Sequence, residues 1–339
     1  MANVTIYDVA KKCGVSPGTV SKAINNYSAI PSKTKDRILK TMKEMNYIPN
    51  IGAKSLSKRV SKNIGVLAYF GMDISPFKSP LFTDILDSAQ SDLNSQGYDL
   101  LFVSHNVDGR DGSFYENCVS RNVAGTLLFG DMSNPEMKEV TESSIPCVAF
   151  DYADANVTGV FSNNKEAMKE LTRYLISLGH KRIVFVHGEQ SRATDKRIEG
   201  FKEAMSEAGI ALRDDTLVPA RYLDVDSVAN ITRNLMRRIL PPTAILYPDD
   251  RSAIRALATL QSLGLSCPDD VSIAGFDGLE ISQIVSPHLT TIKQDTVKIG
   301  KILAKELIDL IEKRKTTNEI IEARASLIIG ESTSSLKSE

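Results

Sequence analysis

The sequence is poor in the groups that mark most enzymes and most exported proteins. Its four cysteines, Cys13, Cys118, Cys147 and Cys267, are scattered without a C-x-x-C pair. That argues for reduced thiols in a cytosol and against disulfides or zinc. Its four histidines, His105, His180, His187 and His288, are solitary and read as structural groups, so no metal site, catalytic set or cofactor is expected. The phosphate-cradling G-x-x-x-x-G-K-[ST], the dinucleotide motif G-x-G-x-x-G and the zinc motif H-E-x-x-H are missing. No apolar run approaches the roughly 18 residues of a membrane span. The stretch from Ala2 to Asp8 is amphipathic where a signal peptide would be apolar, and a cytoplasmic protein is the expectation.

What is present is an ordinary globular composition with its charge unevenly placed. The 339 residues are 42% apolar and 24% charged, which suits two or three domains with a buried core. Residues 1–62 carry 12 Lys and Arg against 3 Asp and Glu, a net +9, while the remainder sums to −10. A basic head on an acidic body is the electrostatic footprint of a nucleic-acid-binding module. A solvated, Lys-rich face is the plainer alternative.

In the head, Ile6, Val9, Ala10 and Cys13 recur at helical spacing. They predict a first helix from Ile6 to Cys13, with Thr5 as N-cap and Asp8 in its first turn. After a turn at Gly14-Val15, Ser16 as N-cap and Pro17 at the first helical position start a second helix. It shows Thr19, Ser21, Lys22 and Asn25 on one side and turns Val20, Ala23 and Ile24 inward. A third helix from Ser32 to Met45 carries Ile38, Met42 and Met45 on one face. Two helices joined by a glycine turn make a helix-turn-helix unit, and small hydroxyls with one cation suit a DNA groove.

The body alternates apolar runs with amphipathic stretches. Strands are expected at 64–69, 98–104, 125–129, 146–150, 182–187, 244–247, 271–276 and 289–293. Helices are expected near 81–95, 164–178, 196–208, 226–239, 252–263 and 296–313. Such alternation means parallel sheets covered on both faces, and its restart after Phe161-Ser162-Asn163 suggests two of them.

Several motifs carry a resemblance. Thr5-Ile6-Tyr7-Asp8-Val9-Ala10, Gly14-Val15-Ser16, Thr19-Val20-Ser21, Asn25 and Tyr47-Ile48-Pro49-Asn50 resemble the signature of the lac-repressor (LacI/GalR) family of bacterial transcription factors. In the body, Leu178-Gly179-His180, Arg197-Ile198-Glu199-Gly200-Phe201, Asp249-Asp250, Gly275-Phe276-Asp277 and Leu289–Gln294 are similar to motifs of the same family. The resemblance implies an all-α helix-turn-helix head (1–46), a hinge helix and linker (47–62) and a core (63–339). That core would be an α/β periplasmic-binding-protein-like fold of two doubly wound parallel-sheet subdomains. The N-subdomain would span about 63–162 and 293–322, and the C-subdomain about 163–292 and 323–332, with a ligand cleft at the carboxyl ends of the strands.

The resemblance also assigns residues. The second helix would read the major groove, with Pro17, Gly18 and Lys22 at the base-selecting positions. Pro17 and Gly18 offer little beyond backbone, which leaves much of the direct readout to Lys22. Thr5, Tyr7, Ser16, Thr19, Ser21 and Asn25 would position phosphates, although capping is an equal reading of Ser16. In the hinge, Asn50, Ala53 and Lys54 would line the minor groove and Leu56 would wedge between central base pairs. Gly52 weakens that helix by about 1 kcal/mol relative to Ala. Cleft groups would be Phe82, Asn163, Arg192, Arg197, Tyr222, Asp249 and Asp277. Helix capping is the alternative for Asp249 and Asp277, a structural ion pair for Arg197 with Asp277, and core packing for Phe82.

The implied protein is a repressor, not an enzyme. It would bind a pseudo-palindromic double-stranded operator on the bacterial nucleoid, as a homodimer, under a small-molecule effector of the sugar type, with no membrane. A regulator governed by a protein or phosphorylated corepressor, and a sugar-active enzyme, are the alternatives. The wedge has a direct consequence: Leu56→Ala weakens operator binding and leaves effector affinity intact. Unchanged operator affinity in a gel-shift assay would refute it.

Overall fold

The computed structural model describes residues 4–24, 27, 29–47, 61–70, 75–104, 106–107, 110–222 and 224–336, with backbone alone at 106–107 and 110–111. Two compact units divide between Ser61 and Lys62.

The first unit holds three helices, α1 (Ile6–Cys13), α2 (Pro17–Ile24) and α3 (Ser32–Glu44). A reciprocal capping box opens α1: Thr5 N–H and Oγ1 both donate to Asp8 Oδ2, at 2.8 and 2.6 Å, and Asp8 N–H donates back to Thr5 Oγ1. These bonds satisfy donors that a helix start otherwise leaves open, and they hold the Asp8 carboxyl below its ordinary pKa. The helix ends at Gly14, whose φ of 64° is the left-handed turn that favours glycine. Val9, Ala10 and Cys13 of α1, Val20 and Ala23 of α2 and Ile38 and Met42 of α3 meet in one small apolar core.

The second unit holds two six-stranded sheets. The first runs β13-β7-β6-β5-β1-β2, all parallel. Its strands are β1 (Asn63–Tyr69), β2 (Asp99–Phe102), β5 (Val123–Gly130), β6 (Cys147–Phe150), β7 (Thr158–Ser162) and β13 (Ile320–Ala323). The second runs β14-β12-β11-β10-β8-β9, with only β14 antiparallel. It comprises β8 (Ile183–His187), β9 (Leu217–Pro219), β10 (Ala244–Leu246), β11 (Ser272–Asp277), β12 (Thr290–Lys293) and β14 (Ser326–Ile328). A two-stranded ribbon, β3 (Asn106–Val107) with β4 (Arg110–Asp111), stands apart.

Helices α4 (Pro80–Ser95), α5 (Phe114–Ser120) and α6 (Pro135–Thr141) cover the first sheet. Helices α7 (Asn164–Ser177), α8 (Arg192–Glu207), α9 (Val225–Met236) and α10 (Asp250–Ser262) cover the second. The last helix, α11 (Thr296–Ile311), packs back against α4. The chain therefore passes between the sheets at 163, 294–295 and 324–325. Relative to the elements read from apolar runs, β3, β4, β7, β9, β13, β14, α5 and α6 are additions. Each is short, and the edge strands β13 and β14 have only four and three residues.

Helices α7 and α8 lie close because Gly200 has no side chain. A Cβ there would sit 2.1 Å from the Lys165 carbonyl oxygen. Along the same seam Lys165 pairs with Glu199 and Glu203, Lys169 with Glu203 and Glu207, and Arg173 with Glu207. Among the described residues no helix is long and apolar enough to cross a membrane. Gly200→Ala should force these backbones apart and cost about 2 kcal/mol, the usual scale of overpacking. A urea midpoint unchanged from wild type would show that the seam yields freely.

Candidate DNA interface and effector cleft

In the head, the three-helix core leaves one polar face outward. Tyr7 is 70% exposed, and Gly18 and Lys22 are exposed beside half-buried Pro17, Thr19 and Ser21. Ser16 Oγ accepts from the Thr19 N–H at 3.1 Å and lies 2.9 Å from Thr19 Oγ1. Ser16 is thus the cap of α2, and its hydroxyl and that of Thr19 are tied to each other. Gly14-Val15-Ser16-Pro17-Gly18 also satisfies the pattern G-x-S-x-G, which in hydrolases needs a strand before the serine. Here α1 precedes it and the hydroxyl is engaged in capping. Asn25, Asn50, Ala53, Lys54 and Leu56 lie outside the described residues, as does His105.

In the second unit, the carboxyl ends of β6, β10 and β11 bring a charged group together. Arg197, 3% exposed, rises from α8. Its guanidinium lies 3.5 Å from the Phe276 ring centroid and 6.0 Å from that of Tyr222. It donates to Asn164 Oδ1 at 2.7 Å and to the Pro248 carbonyl at 2.9 Å. The alternative of a structural ion pair with Asp277 gives way to these neutral acceptors and an aromatic face. The cation still acts at longer range, opposing the effect of burial on Asp151, Asp277 and Tyr222.

Asp277 ends β11 with φ 111°, a conformation that non-glycine residues rarely hold. Burial raises its carboxyl well above the ordinary range. Gln294 Nε2 donates to its Oδ1 at 2.7 Å. Tyr222 hydroxyl meets Thr194 Oγ1 at 2.9 Å, and its ring fills the space where Gly188 lacks a side chain. Arg192 reaches over the Phe161 ring at 5.3 Å, from the second subdomain to the first.

Three expectations are corrected. Asp249 caps α10: its Oδ1 accepts from Ser252 N–H and its Oδ2 from Ser252 Oγ, at 2.8 and 2.9 Å. Its neighbour Asp250, fully buried, takes Thr291 Oγ1 and the Leu279 N–H and so clamps the turn after Asp277. Burial pushes Asp250 up to about 7. Phe82 is 2% exposed, edge-on to Phe70, Phe77 and Phe129; it is core, and offers no face for stacking. The exposed aromatics at that end of the first sheet are Phe77 and Phe102, with centroids 4.9 Å apart. Asn163 is a crossover clip, with Oδ1 accepting from Ala325 N–H at 2.7 Å.

Asp151 was not legible as a site residue. It follows β6 with φ 60°, and its buried Oδ1 has no hydrogen-bond partner. An apolar strand running straight into an acid, Cys147–Phe150 then Asp151, is the signal that points to it. Burial lifts its pKa from 3.8 to about 6. The folded chain therefore keeps a proton that the unfolded chain loses, and stability falls as pH rises between those values. Asp151→Asn should stabilise the ligand-free protein by on the order of 1–3 kcal/mol at pH 7.5 and little at pH 4, since Asn tolerates positive φ. Equal shifts in melting temperature at both pH values would contradict this.

Comparison with known proteins gives a consistent picture. Residues 5–50 match the family described as bacterial regulatory proteins, lacI family, and residues 172–333 match the periplasmic binding protein-like domain. The chain is 31% identical over 334 residues to the probable HTH-type transcriptional repressor ExuR of Bacillus subtilis (strain 168), covering 97% of this chain and 98% of that protein. Its fold is similar to that of the lac repressor dimer bound to operator and the anti-inducer ONPF, with a TM-score of 0.84 at 24% identity, over 98% of this chain and 100% of that one. It is also similar to the transcriptional regulator CelR in complex with cellobiose, with a TM-score of 0.70 at 24% identity, over 97% of this chain and 100% of that one.

Proposed function

The chain belongs to the LacI family of bacterial regulatory proteins, and on that premise we propose that it is an operator-binding transcriptional repressor whose grip is set by a small polyhydroxylated effector in the core cleft. The observation that carries the effector reading is the arrangement at Arg197. One buried cation stands among Asp151, Asp277 and Tyr222, with an unpartnered acceptor on Asp151 and strained backbone at Asp277. Acceptors outnumber the single cation, which favours a neutral donor-rich ligand such as a sugar or sugar derivative over an anion. The cellobiose held by CelR agrees with that class.

The DNA reading assigns the outward face of α2 to the major groove. Lys22 supplies a flexible point charge there, with Tyr7, Thr19 and Ser21 against phosphates. Thr5 and Ser16 cap the starts of α1 and α2 and can meet phosphates from those positions. Much of the specificity would then fall to the hinge residues Asn50, Ala53, Lys54 and Leu56 and to the bendability of the operator centre. A homodimer presents two such faces to a pseudo-palindrome. Its core contact is supported by the exposed Ile281 and Ile284 beside an open groove lined by Pro80, Ile254 and Leu279. The protein would act in the bacterial cytoplasm, on the chromosome.

A thermal-shift screen of sugars and sugar phosphates identifies the effector class, and calorimetry measures the hit. Arg197→Ala and Asp277→Ala should still bind operator while losing at least tenfold in affinity for that hit, the scale of one lost hydrogen bond to a charged group. Normal binding of the hit in both variants would move the effector site elsewhere.

A further inference from the structure

We propose that Gln294 passes the state of the cleft carboxylate Asp277 to the chain crossings between the two sheets. The proposal rests on the reading of the cleft as an effector site, and it names the residue through which occupancy is felt at the hinge.

Gln294 stands between β12 and α11, where the chain leaves the second sheet for the first, and it is 1% exposed. Its side chain works in both directions. Nε2 donates to Asp277 Oδ1 at 2.7 Å, and Oε1 accepts from Ser162 Oγ at 2.5 Å. Its backbone N–H donates to the Asp277 carbonyl at 3.1 Å. Ser162 is the last residue of β7, at the first crossing, and is itself 1% exposed. The next residue, Asn163, donates its N–H to the Ala323 carbonyl at 2.9 Å and accepts from the Ala325 N–H. One continuous hydrogen-bonded line thus runs from the cleft acid through the second crossing to the first, and on to the third.

A carboxamide is the group this line requires. It donates from one end and accepts at the other while remaining neutral. A carboxylate there would lose the N–H that donates to Asp277, and an apolar side chain would leave Asp277 and Ser162 without their buried partner. Donation to Asp277 Oδ1 fixes one end of the carboxamide, and acceptance from Ser162 Oγ fixes the other. A ligand donor that takes Asp277 Oδ1 competes with Gln294 Nε2 for that oxygen. A buried amide that loses one partner must reorient to find another, and its other end holds Ser162. The crossings therefore have two hydrogen-bonded arrangements, selected by what occupies Asp277.

Native-state amide hydrogen exchange on the full chain tests this without any ligand. The readouts are the crossing segments 158–164, 290–296 and 320–326. Ser162→Ala cuts the far end of the line, and Asp277→Asn weakens the near end at constant shape. Each should speed exchange there, and the double variant should fall short of the product of the two effects by about tenfold, as for coupled partners. After Gln294→Met, the two effects should multiply. Multiplying effects with Gln294 in place, or the same shortfall after Gln294→Met, would overturn the proposal. Gln294→Glu serves in the same cycle if circular dichroism shows Gln294→Met unfolded. Failure to find a sugar that binds would count against the effector reading and leave this cycle unaffected.

Discussion

The core depends on three passages of one chain between two sheets. Each sheet buries its own apolar faces and could stand alone as a doubly wound layer. What joins them is a narrow waist at 163, 294–295 and 324–325, where side-chain clips act beside contacts such as Arg192 over Phe161 and Arg251 to the Lys78 carbonyl. Ser162 with Gln294 and Asn163 with Ala325 are those clips. A joint built from a few directional bonds can rotate between discrete settings, whereas a packed interface resists small displacements. The cleft lies beside this waist because both are made from the carboxyl ends of strands.

The chemistry of the cleft follows from where charge is placed in a dry space. Arg197 is anchored by a neutral amide, a carbonyl and an aromatic face, so its charge is not spent on one acid. The carboxyls around it are raised by burial and only partly relieved by that cation. Such a site costs stability when empty, and it rewards a ligand that brings hydrogen-bond donors. The backbone adds to the cost, since Asp151 and Asp277 both hold positive φ.

The head illustrates a different economy. Three short helices share only seven buried apolar residues, so the caps matter more than they would in a large domain. Thr5 with Asp8, Gly14, and Ser16 with Thr19 together fix the ends of α1 and α2. The buried face and the caps settle the pose of α2 and leave its polar face outward.

The sequence by itself determined the class of architecture, though not its short elements or the order of its strands. Apolar runs at strand spacing, amphipathic stretches between them, and a Gly-turn between two short helices suffice, because these are local patterns. It also marked Arg197, Asp277 and the Asp249-Asp250 pair as chemically notable. Only the tertiary structure decided what each does. Asp249 and Asp250 are adjacent and alike, yet one caps a helix and the other clamps a turn 29 residues away. Phe82 and Phe77 differ in role because one faces the sheet and the other does not. Asp151 and Ser162 carry no motif of their own, and Gln294 ends a family-like stretch that assigns it no role. Their roles come from burial and from partners more than a hundred residues distant in the case of Ser162 and Gln294. Local spacing records periodicity and caps, and it holds no record of which strand ends the fold brings face to face.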